Sequence, residues 1–574
     1  MDLKLTTLKK GFFIIFAVYM LVGMHYFQHN GGGSGLHLPF NVVGWLFITP
    51  LIGIGFWQIT HQGQLVYSRL TLVFIAATAC MLIPVLYADP TVVGASYTRL
   101  FGLLGGLLFF IALQQLQLNQ QQRLALLYLI LGAVLVEACF SLIQYYLLPV
   151  NNWVGYQKLA NRPYGIFQQP NVSASFLVTG VALALYLLSQ TQPSERFKQL
   201  FCYLTSFLTM IPVVLLQSRT GYLSLLIAPL MLLPWIWQQL DKTKQLKILF
   251  IWLFCCAMAT FIGLTTLETT NQVTRSAAVL TDPGARIPIY LHSLAMFLAK
   301  PVLGWGYGSF EVSYLNSYTE ALSQGLALPG SPENLDHPHN ELLYWGIEGG
   351  IVALMGIALL CIGFLRIIFK QPFWQGIALL GLVFPILLHT QTEYPFYHST
   401  AHWAVFLVLV WYISSRYAST NYIHFHYTFL LRTCALLIPL ITLLFMVTTL
   451  HTNYLLTKYE RSDRRDITPL TEVINPVAWI TRLEFNVMMY RLQIALYNND
   501  RQELDEYINW ATEISQTTPR ANIYINWIRA LDKREQHAES EKLLRKTVRM
   551  YPHNSLVQDI VSQAEQTSPT VEKE

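Results

Sequence analysis

Asp336-His337-Pro338-His339-Asn340-Glu341 puts two imidazoles, one amide and two carboxylates within six residues, directly before the apolar run Leu342 to Phe369. An imidazole titrates near neutral pH, so this pattern suits a general base, a metal ligand or a contact to phosphate. Polar groups where a water-facing loop enters a membrane are costly unless something uses them.

Four other segments crowd polar residues against apolar runs. Asn161 to Asn171 carries Arg162, Gln168, Gln169 and Asn171 at the start of an apolar stretch. A capped helix start, with Asn171 as the cap, explains part of it. It explains neither Arg162 nor the paired glutamines. Gln217-Ser218-Arg219-Thr220-Gly221 sets an arginine between two apolar runs, where snorkelling is the bland reading and function the sharper one. Pro283-Gly284-Ala285-Arg286 opens a further apolar stretch, and the glycines of Pro301 to Gly308 allow a tight return. Gln391 to His398 holds Glu393 and Tyr394, with an interfacial aromatic belt as the bland reading.

Guanidinium forks bind phosphate oxygens in pairs and stay charged, so Arg162, Arg219 and Arg286 suit a phosphate-bearing substrate. A histidine beside such arginines reads as a base next to an anion site. His-x-His alone is a weak metal signal, and no Asp-x-Asp is present to hold a divalent ion on a diphosphate. No metal is expected. The glycines are too irregular for a nucleotide fingerprint and no GxxxxGK[ST] occurs, which argues against a nucleotide-driven motor.

The elements that must hold these residues are membrane helices. The chain has 574 residues, 53% hydrophobic and only 12% charged, against roughly 25% charged in soluble domains. A net charge of +5 without a basic run gives no reason to expect a nucleic-acid partner. At about 20 apolar residues per span, about thirteen spans are expected. They cover 11–28, 40–59, 70–88, 100–116, 124–148, 171–189, 200–217, 220–239, 246–265, 342–369, 374–390, 400–415 and 429–450. The run after Lys9 and Lys10 lacks a cleavage site and reads as a retained first span.

With the N-terminus inside, alternate loops inherit Arg69, Arg123, Arg196/Lys198, Lys242/Lys244/Lys247, Arg366/Lys370 and Arg416, the positive-inside pattern. Every unusual motif then falls on the opposite, outer side. The loop 266–341 is too long to be a connector, and Arg286 to Ala299 within it suits a helix lying on the membrane surface. From 451 the chain turns polar and amphipathic and reads as an outer helical domain, either a short TPR-like array or an ordinary small helical fold. All seven cysteines lie in apolar runs, so no disulfide framework is expected.

The stretches FQQPNVSASF (167–176), SRTGYLSLL (218–226), GARIPIYLHSLAMFLAKPVLGWGYGSF (284–310), HPHNELLYWGIEGG (337–350) and QTEYPFYHS (391–399) together resemble the O-antigen ligase/polymerase superfamily of the Wzy_C type. Within it they are most similar to PglL-type bacterial protein O-oligosaccharyltransferases. The resemblance implies an all-α polytopic membrane protein of GT-C-like ligase architecture. A transmembrane ligase domain would span 1–450, with a large periplasmic loop at 266–341 and a periplasmic α-helical, TPR-like domain at 451–574. It implies residence in the bacterial inner membrane with the active site facing the periplasm.

Such enzymes move a preassembled glycan en bloc from undecaprenyl diphosphate to an acceptor hydroxyl, inverting the anomeric carbon, without metal, nucleotide or other cofactor. In the PglL-type branch the acceptor is Ser or Thr of an exported protein such as a pilin. By residue match His339 is the essential histidine and Arg219 and Arg286 are diphosphate-binding. Arg162 joins them by its placement, while His337, Asn340, Gln168, Gln169, Asn171, Glu393 and Tyr394 are expected to support donor or acceptor.

A ligase onto lipid A core and a Wzy-type polymerase share the donor and stand as alternatives. A lipid-linked sugar transporter, or flippase, would need acids deep in its spans and an internal repeat. Glu137 and Glu348 are such acids, but no repeat is visible. The Trp-Trp-Asp motif of N-linked oligosaccharyltransferases is absent.

Overall fold

The computed structural model describes residues 6–242, 244–269, 286–326, 333, 335–462 and 466–567. Pro283, Gly284 and Ala285, and with them much of the first part of the loop expected at 266–341, lie outside the described residues. Among the described residues twelve helices are long and apolar enough to cross a membrane. They match twelve of the expected spans. The thirteenth, expected over 400–415, is a helix at Thr400–Tyr417 whose residues are mostly buried. Its His402, Ser414, Ser415 and Arg416 keep it below the apolarity of the other twelve. The chain is an all-α polytopic membrane protein. Its described strands are one antiparallel ribbon, Gln64–Ser68 with Thr420–His424.

The fold divides into two compact units, 1–79, 98–282 and 356–457 in the first, 80–97, 283–355 and 458–574 in the second. The first unit is organised around the helix Pro170–Leu188, in which every residue from Val172 to Leu188 is buried. A helix apolar all round must be enclosed by others. It packs on the helices Gln120–Leu142, Arg196–Leu215, Arg219–Lys242 and Phe373–Thr390. The ribbon is secured by Gln115, whose side chain accepts from Val66 N at 2.9 Å and donates to Val66 O at 2.8 Å.

The second unit combines the described parts of the large loop with the polar tail. Arg286–Ala299 is a helix with His292, Ser293 and Met296 buried. Ile287, Leu291, Leu294 and Leu298 form an exposed apolar stripe on it, the pattern of a surface-lying amphipathic helix. The next helix, Phe310–Ser323, inserts Leu315 into a core with Tyr524, Ile528 and Tyr551 of the tail. The tail is a run of helices, Ile480–Asn498, Arg501–Ile514, Ala521–Lys533, His537–Met550 and Ser555–Thr567, each packed on the next.

The span expected as one helix over 342–369 is broken. Within Glu341–Ile368, Gly350 takes φ 62° and ψ −160°. A break at membrane depth frees backbone groups that must find partners. The segment Pro301–Gly306 supplies them: Trp305 N donates to Ile347 O at 2.8 Å, Gly306 N to Glu348 O at 3.0 Å, and Ile351 N to Pro301 O at 2.8 Å. The glycines of GWGYG and of EGG are thus two sides of one contact. A Cβ on Gly350 would run into the Val302 carbonyl, and its φ disfavours any other residue.

Gly350→Ala is therefore expected to lower the thermal midpoint of the solubilised protein, by an amount corresponding to at least the 1–3 kcal/mol, roughly, of a strained backbone position. Gly94→Ala, at a glycine with nothing within 4 Å of the added carbon, should leave it unchanged. Equal midpoints for the two variants in thermal unfolding would contradict this account of the break.

Candidate active site

The motif helices begin in the same way. Gln168, Gln217 and His339 have left-handed backbones, with φ of 58°, 45° and 53°. Each stands two residues before a helix, at Pro170, Arg219 and Glu341. The residue between is a polar cap in every case. Gln169 Oε1 accepts from Asn171 N at 2.6 Å and Val172 N at 2.9 Å. Ser218 Oγ accepts from Gly221 N at 3.2 Å, and Asn340 Oδ1 from Leu343 N at 3.0 Å. Helix starts leave N–H groups without intrahelical partners, and these side chains supply them. The positive φ on residues other than glycine is strain, which proteins retain mainly where position matters.

In the first unit three motifs meet. The cap expected at Asn171 belongs instead to Gln169, whose longer side chain reaches past the proline. This releases the Asn171 amide to bridge. Its Oδ1 accepts from Ser218 Oγ at 2.8 Å and its Nδ2 donates to Glu393 Oε1 at 3.3 Å. Gln169 Nε2 lies 3.4 Å from the same carboxylate oxygen, and Glu393 is buried. Thr220 and Thr392 join through their hydroxyls at 3.0 Å, and His398 Nε2 lies 3.2 Å from Phe167 O. Tyr394 stacks on Tyr397 with centroids 5.8 Å apart. Arg162 donates through Nη1 to Leu216 O and Gln217 O, at 2.5 and 3.0 Å. It thereby braces the turn into Arg219, which opens its helix half-buried.

Two residues from within the bundle hold the loop before Gln168. Gln144 Oε1 accepts from Tyr164 N and Gly165 N, at 3.1 and 2.8 Å, and its Nε2 returns a bond to Gly165 O at 2.9 Å. Glu137, fully buried, accepts from Ile166 N at 3.1 Å. One turn beneath Asn171, the Ser175 hydroxyl sits between His389 Nδ1 at 2.7 Å and His402 Nε2 at 3.0 Å, all three fully buried. Sequence reading passed over Gln144 and this Ser–His–His group. The only signal was a polar residue inside an apolar run.

In the second unit the opening motif forms a chain. The Asp336 carboxylate accepts from His337 Nδ1 at 2.6 Å, and His337 Nε2 lies 3.2 Å from His339 Nδ1. With both rings neutral, these two bonds put protons on His337 Nδ1 and His339 Nδ1, which leaves the lone pair of His339 on Nε2. Tyr290, one turn after Arg286, donates to His339 O at 2.9 Å and fixes the backbone. The surrounding chain partly desolvates the half-exposed Asp336 carboxyl and pushes it up. The bond from His337, the charge that ring carries when it is protonated, and Arg520 behind pull harder and hold it below the usual range. Glu348 closes the other end of the motif. Its Oε1 accepts from Gly308 N at 3.0 Å and Phe310 N at 3.1 Å, so it clamps the glycine loop.

The structure thus gathers Arg162, Gln168, Gln169, Asn171, Arg219, Glu393 and Tyr394 in the first unit, and Arg286, His337, His339 and Asn340 in the second. These elements define a polytopic membrane protein with an oriented imidazole and guanidinium groups at helix starts. Comparison with known proteins shows what the chain is similar to. Residues 204–358 match the family described as O-Antigen ligase, and residues 163–188 the one described as Protein glycosylation ligase. Residues 377–565 match the family described as Virulence factor membrane-bound polymerase, C-terminal. A curated General O-oligosaccharyltransferase of Acinetobacter baylyi is 24% identical over 278 residues, 47% of this chain and 46% of that protein. The match thus spans less than half of that relative's length. These findings bear out the resemblance to PglL-type O-oligosaccharyltransferases of the O-antigen ligase superfamily.

Asp336 has a folded pKa below its unfolded value. The stability it contributes is therefore present above the usual carboxylate range and lost as pH falls through the lowered value. Asp336→Asn should lower the melting midpoint near neutral pH, and the gap from the native protein should close in acid below that range. Melting curves recorded across pH check this, and a gap that persists in acid would contradict it.

Proposed function

We propose that this protein transfers a preassembled glycan en bloc from undecaprenyl diphosphate to a Ser or Thr hydroxyl of an exported protein, such as a pilin. The reaction takes place on the periplasmic side of the bacterial inner membrane. The observation that carries this reading is the Asp336–His337–His339 chain. An alcohol is a poor nucleophile and needs a base at the moment of attack, and a carboxylate-oriented imidazole is a base with its lone pair fixed. The General O-oligosaccharyltransferase among the relatives supports the acceptor class.

In this reading His339 Nε2 takes the acceptor proton while the oxygen attacks the anomeric carbon opposite the diphosphate. The carbon–oxygen bond to the diphosphate breaks and the configuration inverts. Arg219 and Arg286 stabilise the charge that grows on the departing diphosphate, and Arg162 supports Arg219 through the turn it braces. Asn171, Gln168, Gln169, Glu393 and Tyr394 shape the donor or acceptor surroundings. The reading needs neither metal nor cofactor. A glycan acceptor, as in a polymerase or a lipid A ligase, is the second reading, favoured by the polymerase and O-antigen ligase descriptions. The two acids that a transporter would use, Glu137 and Glu348, each accept from backbone N–H groups of a motif loop, which supports a positioning role for them in the transferase reading.

The test is the purified full-length protein in lipid nanodiscs, with lipid-linked glycan and an acceptor protein followed by intact mass. Addition of one glycan unit to the protein is expected. Glycan added only to glycan or lipid would overturn the acceptor assignment. His339→Ala should lower the rate by about 10²–10⁴, the share of a positioned base, and a native rate would remove the base role. Arg286→Lys keeps the charge and loses the fork, so its rate should fall by less than the roughly 10²–10³ that removing such a donor costs. Full activity there would contradict bidentate binding.

A further inference from the structure

A groove of about 740 Å³ in the second unit has no part in the chemistry above. One wall is the tail helix His537–Met550, from which Lys542, Arg545, Lys546 and Arg549 line it. The other is the loop helix Phe310–Ser323, which contributes Asn316, Thr319, Glu320 and Ser323. Both sets follow the spacing i, i+3, i+4, i+7, which puts each on a single helix face. Helices that pack on each other carry apolar residues at these positions. Here both stripes are polar, and they enclose a groove.

The walls are fixed from the sides. Leu315 sits in the tail core with Tyr524 and Ile528. Arg520 meets Glu311 at 3.1 Å, and Asn554 donates to Glu333 at 2.8 Å. The groove is therefore part of how loop and tail fold together.

Its charge is positive. Four basic side chains line it against two carboxylates, Glu320 on the opposite wall and Glu541 on the same helix. Arg545 pairs with Glu541 at 2.6 Å and Lys546 lies over the Tyr524 ring, which leaves Lys542 and Arg549 to dominate the two ends of the stripe. A groove between two helices takes a chain that enters it, whereas a flat layer of lipid headgroups calls for a convex or planar surface. The seven-residue separation along each wall corresponds to about 10 Å, room for roughly three residues of extended peptide. The amide and hydroxyls of Asn316, Thr319 and Ser323 offer the donors and acceptors that an extended backbone needs, and the basic stripe suits carboxylate side chains.

We propose that this groove binds an acidic segment of the acceptor polypeptide flanking the modified Ser or Thr. The proposal rests on the protein-acceptor reading above and adds to it a recognition site whose lining does not include His339, in the same compact unit.

The test uses full-length protein in nanodiscs of neutral lipid, with the double variant Lys542→Glu, Arg549→Glu. Both side chains are exposed, so the fold should survive. Three acceptor peptides carry acidic, neutral or basic residues beside the same serine. For the acidic acceptor KM should rise about tenfold, the size expected when two charge contacts turn repulsive, with kcat unchanged. The neutral acceptor should be unaffected and the basic one should bind the variant better. Anisotropy of a fluorescent acidic peptide should show the same loss of affinity without turnover. An unchanged KM and affinity for the acidic acceptor would overturn the proposal. So would a KM change that follows the charge of the donor glycan instead. If the native protein binds the acidic peptide yet glycosylates no acceptor, the transfer reading fails and the groove stands.

Discussion

The structure depends on how its motif helices begin. A helix that starts at a membrane boundary exposes N–H groups to a medium that cannot hydrogen-bond them, so each start must supply its own acceptors. Gln168-Gln169, Gln217-Ser218 and His339-Asn340 solve this in the same way, with a left-handed residue and then a polar cap. The device turns the chain tightly and presents the residues next to it, among them Arg219 and His339, at the positive end of a helix dipole. That end favours anions, such as the diphosphate of the proposed donor.

The polar residues inside the bundle serve the same constraint from below. Glu137 and Gln144 reach up to hold the backbone before Gln168, and Glu348 holds the glycine loop after Trp305. Each is buried or faces backbone N–H groups, so its polarity is matched. The helix break at Gly350 follows the same logic. The groups it frees are taken by Pro301–Gly306, so irregular backbone is tolerated because it is bonded. The Ser175–His389–His402 group lies one turn below Asn171 and ties three helices together beneath the bridging amide.

The spans were legible in the sequence because apolarity over about 20 residues is a local property. The polar motifs were legible because they interrupt it. What escaped depends on partners distant in sequence. Asn171 looked like a cap, but Gln169 takes that place and Asn171 bridges Ser218 and Glu393, 47 and 222 residues away. Glu137 and Glu348 looked like transport acids until their partners, Ile166 and Gly308, came into view. Arg162 turned out to brace helix-end carbonyls. His337 was expected only to support donor or acceptor, and its bonds to Asp336 and His339 make it the link between them. The loop 286–323 and the tail read as separate segments, yet fold in one unit around Leu315 and Tyr524.

The central claim is a single displacement in which a fixed imidazole lone pair activates the acceptor hydroxyl. The most direct measurement is the anomeric configuration of the sugar attached to the acceptor, read by NMR on the purified glycopeptide and compared with that in the lipid-linked donor. One displacement inverts the carbon, so the two configurations are predicted to be opposite. Retention of the donor configuration would contradict the account, because it requires a second displacement that the Asp336–His337–His339 chain does not supply.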